Sequence, residues 1–100
     1  MENNYELDKI TIVSNVMCAH LGVDSKELNK TLKKKENKYL YLLLLKNYKC
    51  LNKERLKDIL DIINEKSISI NINKAEEKFL VNKNFRETYV EIEKGLNKII

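Results

Sequence analysis

The chain has no proline and no tryptophan, and its 100 residues include two glycines, two cysteines and one histidine. So few glycines exclude a glycine-rich loop that wraps phosphate groups. One histidine and two cysteines fall short of the roughly four ligands of a structural zinc site, and two cysteines are too few for a secreted disulfide scaffold. We therefore predict no metal and no cofactor, with free thiols at Cys18 and Cys50.

Long apolar runs are also lacking. The longest one, Tyr39–Leu45, is far shorter than the roughly 20 residues that cross a bilayer as a helix. The first residues are polar, so we expect no targeting segment there. We expect a single domain over residues 1–100 that is cytoplasmic and has no membrane partner.

The sequence offers little for catalysis. Cys18 and His20 are close in sequence, but side chains two positions apart on a helix point about 200° apart. A nucleophilic pair needs hydrogen-bond reach, so these residues do not form one. We predict that the protein is not an enzyme.

Positive charge is concentrated in one short stretch. Residues 30–38 contain five lysines and one glutamate, so their local charge of +4 equals the net charge of the whole chain. We call these lysines the lysine cluster: Lys30, Lys33, Lys34, Lys35 and Lys38. A concentrated basic patch beside a buried helix is typical of a phosphate-contacting site. The alternative is a solvated loop that keeps the protein soluble.

Apolar residues that recur every three to four positions predict an all-α fold, a small multi-helix bundle. Gly22 ends the first helix, Asp24 and Glu27 form the capping box of a short second helix, and Asn52 caps a later one. Residues 36–48 are apolar almost all round, which predicts a helix at the centre of the bundle. The apolar stripe of the first helix includes Leu7, Ile10, Val13, Val16, Met17 and Leu21, and that of the helix after Asn52 includes Leu56, Ile59, Leu60 and Ile63.

Residues 67–73 alternate with period two and interrupt the helical pattern, which predicts a short extended segment. Two interpretations remain open for it. The segment is either a connector that inserts Ile68, Ile70 and Ile72 into the bundle, or an exposed edge. An edge could pair with a second copy of the chain, giving a homodimer through Ile68–Ile72.

Two further capping boxes, Asn73 with Glu76 and Asn84 with Glu87, predict a short helix, a turn near Asn82 and a longer helix. This is the outline of a helix-turn-helix. The side chains on the last helix that could read bases are Asn84, Arg86 and Thr88. Acidic and basic side chains balance on that helix, so a helix that is merely exposed is the alternative.

A family resemblance covers mainly residues 10–48. Three features follow one another in this part of the chain: the stretch Leu21-Gly22-Val23-Asp24-Ser25-Lys26-Glu27-Leu28, the lysine cluster and a long hydrophobic helix. This order resembles that of the C-terminal DNA-binding domain of the bacterial replication initiator DnaA. The resemblance implies a Trp-repressor-like helix-turn-helix whose basic loop contacts the DNA backbone. In this chain it implies that Lys33, Lys34, Lys35 and Lys38 make those contacts. The second half departs from the family. An additional helix is expected after Cys50, and residues 84–90 lack the aspartate and histidine of the family's base-reading signature.

Two hypotheses follow. The first is a small DNA-binding domain that contacts the phosphate backbone through the lysine cluster, in replication or transcription control. The second is a helical protein-interaction or regulatory module that has lost base reading, with a partner surface around Tyr39, Tyr41 and Ile68–Ile72.

Overall fold

The computed structural model describes residues 8–60 and 64–99. These residues form six α-helices joined by short connections, and no strand occurs among them. The all-α bundle predicted from the sequence is confirmed. The helices are α1 (Lys9–Leu21), α2 (Leu28–Thr31, preceded by a 3-10 turn at Ser25–Glu27), α3 (Lys35–Asn47), α4 (Lys53–Leu60), α5 (Glu65–Val81) and α6 (Lys83–Asn97).

Helix α3 lies at the centre of the bundle. Every residue from Leu40 to Leu45 is buried, and Tyr41 is wholly inaccessible to solvent. α5 packs most extensively on α3, and α1 and α6 also pack against it and against each other. Full burial of each leucine contributes about 1.5 to 3 kcal/mol, so this helix supplies much of the stability of the core. The prediction of a central helix is confirmed.

Local signals set several helix ends. Gly22 has φ +69°, and the N–H of Val23 donates to the carbonyl of Cys18 at 3.0 Å, which closes the end of α1. The Asn52 side chain accepts from the N–H of Arg55 at 3.1 Å at the start of α4. The predicted stop at Gly22 and the predicted cap at Asn52 are therefore confirmed.

The prediction of an extended segment at residues 67–73 is wrong, because these residues form the first half of α5. The helix begins after Asn64, whose side chain accepts from the N–H of Ser67 at 2.9 Å. Ile68 and Ile72 are four positions apart, so a helix places both on one face, and both are buried against the bundle. Ile70 is 45% exposed on the other side. A homodimer through a strand edge at Ile68–Ile72 is therefore ruled out for this fold.

The caps predicted in this half are also wrong. Asn73 lies inside α5 and Asn84 inside α6. The α6 cap is Asn82, whose side chain accepts from the N–H of Phe85 at 2.9 Å. The predicted turn near Asn82 is confirmed, and that one residue separates α5 from α6. The short helix predicted before the turn is the end of the 17-residue α5.

Two predicted stripe residues, Leu7 and Ile63, lie outside the described residues. Within residues 8–60 and 64–99, no helix combines the length and the hydropathy that a membrane crossing requires.

Candidate nucleic-acid interface

The lysine cluster extends from the end of α2, which holds Lys30, through the connection to α3 and into the first turns of α3. Four of its side chains are exposed and that of Lys38 is half-buried. Leu32 is the first residue of the connection and is only 1% exposed, so the turn is anchored in the core. The exposed lysines are Lys30, Lys33, Lys34 and Lys35.

Hydrogen bonds hold the backbone of this turn. The N–H groups of Lys33 and Lys34 donate to the carbonyls of Lys30 and Thr31, each at 3.3 Å. The Asn37 side chain donates to the same Thr31 carbonyl at 3.2 Å. The lysines are therefore presented from a fixed turn, which lowers the conformational cost of ordering a phosphate-binding surface.

The charge of the cluster is not cancelled within the described part of the chain. None of the five lysines forms an ion pair there. Glu36, the one acidic residue in the stretch, pairs instead with Lys78 of α5 at 3.4 Å. The turn therefore presents a concentrated positive charge, of the kind that attracts polyanions.

The start of α3 adds to this field. Helix α3 begins after Lys34 with no side-chain cap. The first N–H groups of a helix have no intrahelical partner and carry the positive end of the helix dipole. The lysine cluster surrounds the end of a helix that is itself suited to phosphate oxygens.

Two of the three predicted base-reading side chains, those of Arg86 and Thr88, form hydrogen bonds to backbone carbonyls. The guanidinium of Arg86 donates to the carbonyls of Phe79 and Leu80, at 2.8 and 3.3 Å. The hydroxyl of Thr88 donates to the carbonyl of Asn84 at 3.0 Å within α6. Only the side chain of Asn84 is exposed and without such a bond among the described contacts.

These three residues line an open groove of about 760 Å³ between α6 and the end of α1. His20, Glu87, Val90, Glu91 and Lys94 complete the lining. Two carboxylates face this groove beside the cations, so its charge is mixed. It attracts phosphate less than the lysine cluster does.

Lys78 lies between the lysine cluster and the predicted base-reading residues of α6. Its ammonium lies 3.4 Å from the Glu36 carboxylate at the start of α3 and 5.5 Å from the ring centre of Phe85 at the start of α6. Phe85 stands between Asn84 and Arg86 in the sequence. The lysine cluster and the first turn of α6 therefore share one end of the bundle. Sequence reasoning did not find Lys78, because 42 positions separate it from Glu36.

The partner surface predicted around Tyr41 and Ile68–Ile72 is wrong, because Tyr41, Ile68 and Ile72 are buried in the core. Tyr39 is half-buried. The large apolar side chains with the greatest exposure are Leu80 at 75% and Val81 at 78%, at the end of α5. A groove of about 390 Å³ lined by Leu43, Asn47, Glu76 and Phe79 adjoins Leu80.

The cysteines are poorly placed for chemistry. Burial raises the pKa of the Cys18 thiol, and the nearby Asp24 raises it further. Burial also raises the pKa of the Cys50 thiol, which Lys9 lowers in part. A raised pKa keeps a thiol protonated at neutral pH and weakens it as a nucleophile.

No protein-family model, curated protein or solved structure compared with the chain matches it significantly. The resemblance to the replication-initiator domain therefore stays a prediction made from residues 10–48.

Proposed function

We propose that this protein is a small DNA-binding domain that holds the phosphate backbone through the lysine cluster. The observation that carries the proposal is four exposed lysines on a fixed turn whose single carboxylate, Glu36, is paired elsewhere. The uncapped start of α3 supports it, since helix N-termini bind phosphate. The resemblance to the replication-initiator domain supports a role in replication or transcription control.

The proposed contact is with the backbone rather than with the bases. Specific reading of a base pair needs side chains with unoccupied donors and acceptors, such as an arginine bonded at two points to guanine. Nη1 of Arg86 donates to two backbone carbonyls at the end of α5, which ties this side chain to the corner of the bundle, and the Thr88 hydroxyl donates to the Asn84 carbonyl. We therefore expect affinity with little sequence preference, dominated by counterion release.

The test is fluorescence anisotropy with a random duplex over a salt series from about 50 to 200 mM, where phosphate-driven affinity changes strongly. The triple variant Lys33→Glu, Lys34→Glu, Lys35→Glu should lose binding while its circular dichroism stays that of a folded helical protein. A matched control carries the same charge change on exposed lysines outside the turn: Lys49→Glu, Lys66→Glu, Lys98→Glu. Equal losses in both variants would show a general charge effect and contradict a localised site.

A second candidate function is a protein-interaction module that pairs with another copy of itself. The observation that favours it is the exposed corner at Leu80 and Val81, because neighbouring exposed apolar side chains mark interaction surfaces when they form a patch. Sedimentation velocity should then show a dimer that Leu80→Glu with Val81→Glu dissociates. The control Val90→Glu, at an exposed apolar residue of α6, should leave it intact. A monomer at all concentrations rejects this candidate.

A further inference from the structure

We infer that Lys78 is a positioning residue of the DNA-binding site, which acts by holding the Glu36 carboxylate away from the lysine cluster. The inference rests on the proposed function. It concerns a residue on α5, outside the basic turn, whose ammonium lies 3.4 Å from the Glu36 carboxylate.

The position of Glu36 makes its carboxylate a competitor for phosphate. It is the second residue of α3, beside the N–H groups and the positive dipole that would bind a phosphate oxygen. Lys33 and Lys34 lie in the turn directly before α3, and Lys35 is its first residue, next to Glu36. A carboxylate released toward this end would therefore occupy the same donors and cations as the DNA backbone.

Lys78 is itself held in place. Its side chain is 30% exposed, and the ammonium lies 5.5 Å from the ring centre of Phe85 and 6.0 Å from that of Tyr39. An ammonium near two aromatic rings is attracted by both. One of these rings belongs to α6 and the other to α3, so packing between the two helices directs the Lys78 charge toward Glu36. Among the described contacts, no aromatic ring and no ion pair holds the ammonium groups of the exposed lysines of the turn.

A direct phosphate contact by Lys78 is the competing explanation, and the two differ in a double-mutant cycle. If Lys78 acts through Glu36, its loss matters only while the carboxylate is present. If Lys78 contacts phosphate, its loss reduces affinity in either background and lowers the slope of log affinity against log salt by about 0.9.

The experiment measures anisotropy with the random duplex and a salt series for four proteins: wild type, Lys78→Gln, Glu36→Gln and the double variant. We expect Glu36→Gln to bind more tightly than wild type and Lys78→Gln more weakly. The double variant should bind like Glu36→Gln, with the same salt slope. A similar fold loss on replacing Lys78 in both backgrounds, or no loss in either, overturns the inference.

The design separates this inference from the proposed function. Absence of binding by wild type, or binding by the triple glutamate variant at the wild-type level, rejects the DNA-binding proposal together with the inference. Binding that the triple variant abolishes, combined with additive effects at Lys78 and Glu36, rejects the inference alone. If Lys78→Gln does not fold, Lys78→Met retains the apolar stem against Phe85 and Tyr39 and takes its place in the cycle.

Discussion

The guanidinium of Arg86 donates a hydrogen bond to the carbonyl oxygen of Phe79 at 2.8 Å, so a side chain of α6 caps the end of α5. The last carbonyls of a helix have no partner within the helix and need donors from elsewhere. Arg86 meets this need across the single residue that separates the two helices. It therefore fixes the corner between α5 and α6.

Arg86→Ala should lower the free energy of unfolding by about 1.5 kcal/mol, since a charged donor to the half-buried carbonyl of Phe79 is lost. Urea denaturation measures the change. Lys83→Ala is the control, because its side chain is 78% exposed at the start of the same helix. Binding of Arg86→Ala to random duplex DNA should stay at the wild-type level under conditions where the variant is folded. A large loss of affinity at unchanged stability would show instead that Arg86 contacts DNA.

Alanine substitutions at Ile68 and Ile70, which are two positions apart, test whether residues 67–73 are helical. Ile68→Ala should cost about 2 to 5 kcal/mol, because the side chain is fully buried. Ile70→Ala should change stability by less than about 0.5 kcal/mol, because the residue is exposed. An extended segment would place both residues on one face and give similar costs. Thermal unfolding of the two variants therefore distinguishes the helix from a strand.

The two glycines should respond in opposite ways to alanine. A Cβ at Gly95 would lie 3.6 Å from Val16 Cγ1, an ordinary contact, and alanine favours a helix interior by about 1 kcal/mol. Gly22 has φ +69°, where a Cβ costs about 1 to 2 kcal/mol. Gly95→Ala should therefore raise the melting temperature and Gly22→Ala should lower it. A loss of stability in Gly95→Ala would show that α1 and α6 pack more closely than the structure has them.

Stability should fall at alkaline pH because of Tyr41. Burial raises the pKa of its hydroxyl above the ordinary value of 10.0, and a hydrogen bond with Ser14 lowers it in part. Above pH 10.0 the unfolded chain loses this proton before the folded protein does. The unfolded state then binds fewer protons, so the free energy of unfolding decreases as pH rises from there through the folded pKa.

Urea denaturation of wild type and Tyr41→Phe between about pH 9 and 11, a range that spans ordinary tyrosine titration, measures this contribution. The phenylalanine variant should show a shallower alkaline loss. Ser14→Ala is the control, because it retains the tyrosine and removes the bond that lowers its pKa, so its alkaline loss should persist. Identical pH profiles for wild type and Tyr41→Phe would contradict the assignment.

Much of the first half of the chain was predictable because its signals are local. The apolar run at Tyr39–Leu45 has no polar face, so a central helix is the arrangement that buries it. The φ of Gly22 and the cap at Asn52 involve residues only a few positions apart. The positions and charges of the lysine cluster can be read directly from the sequence, although its rigidity depends on Leu32 and on hydrogen bonds in the turn.

The second half was harder because one pattern fits two structures. Isoleucines at 68, 70 and 72 satisfy period two, but positions 68 and 72 also share a helical face. Branched side chains favour strands only weakly, and packing against the bundle outweighs that preference. The sequence contains no strand partner for this segment, and that was the available sign that a helix would form.

The sequence by itself determined the helical class, the central helix and the place where positive charge collects, since composition, periodicity and neighbouring caps decide these. Tertiary structure alone decided the tasks of the charged side chains. Arg86 caps α5 across a tight corner, and Lys78 pairs with a glutamate 42 positions away. Such roles depend on which helices meet, because an ion or a donor acts over a few ångströms of space and not along the chain.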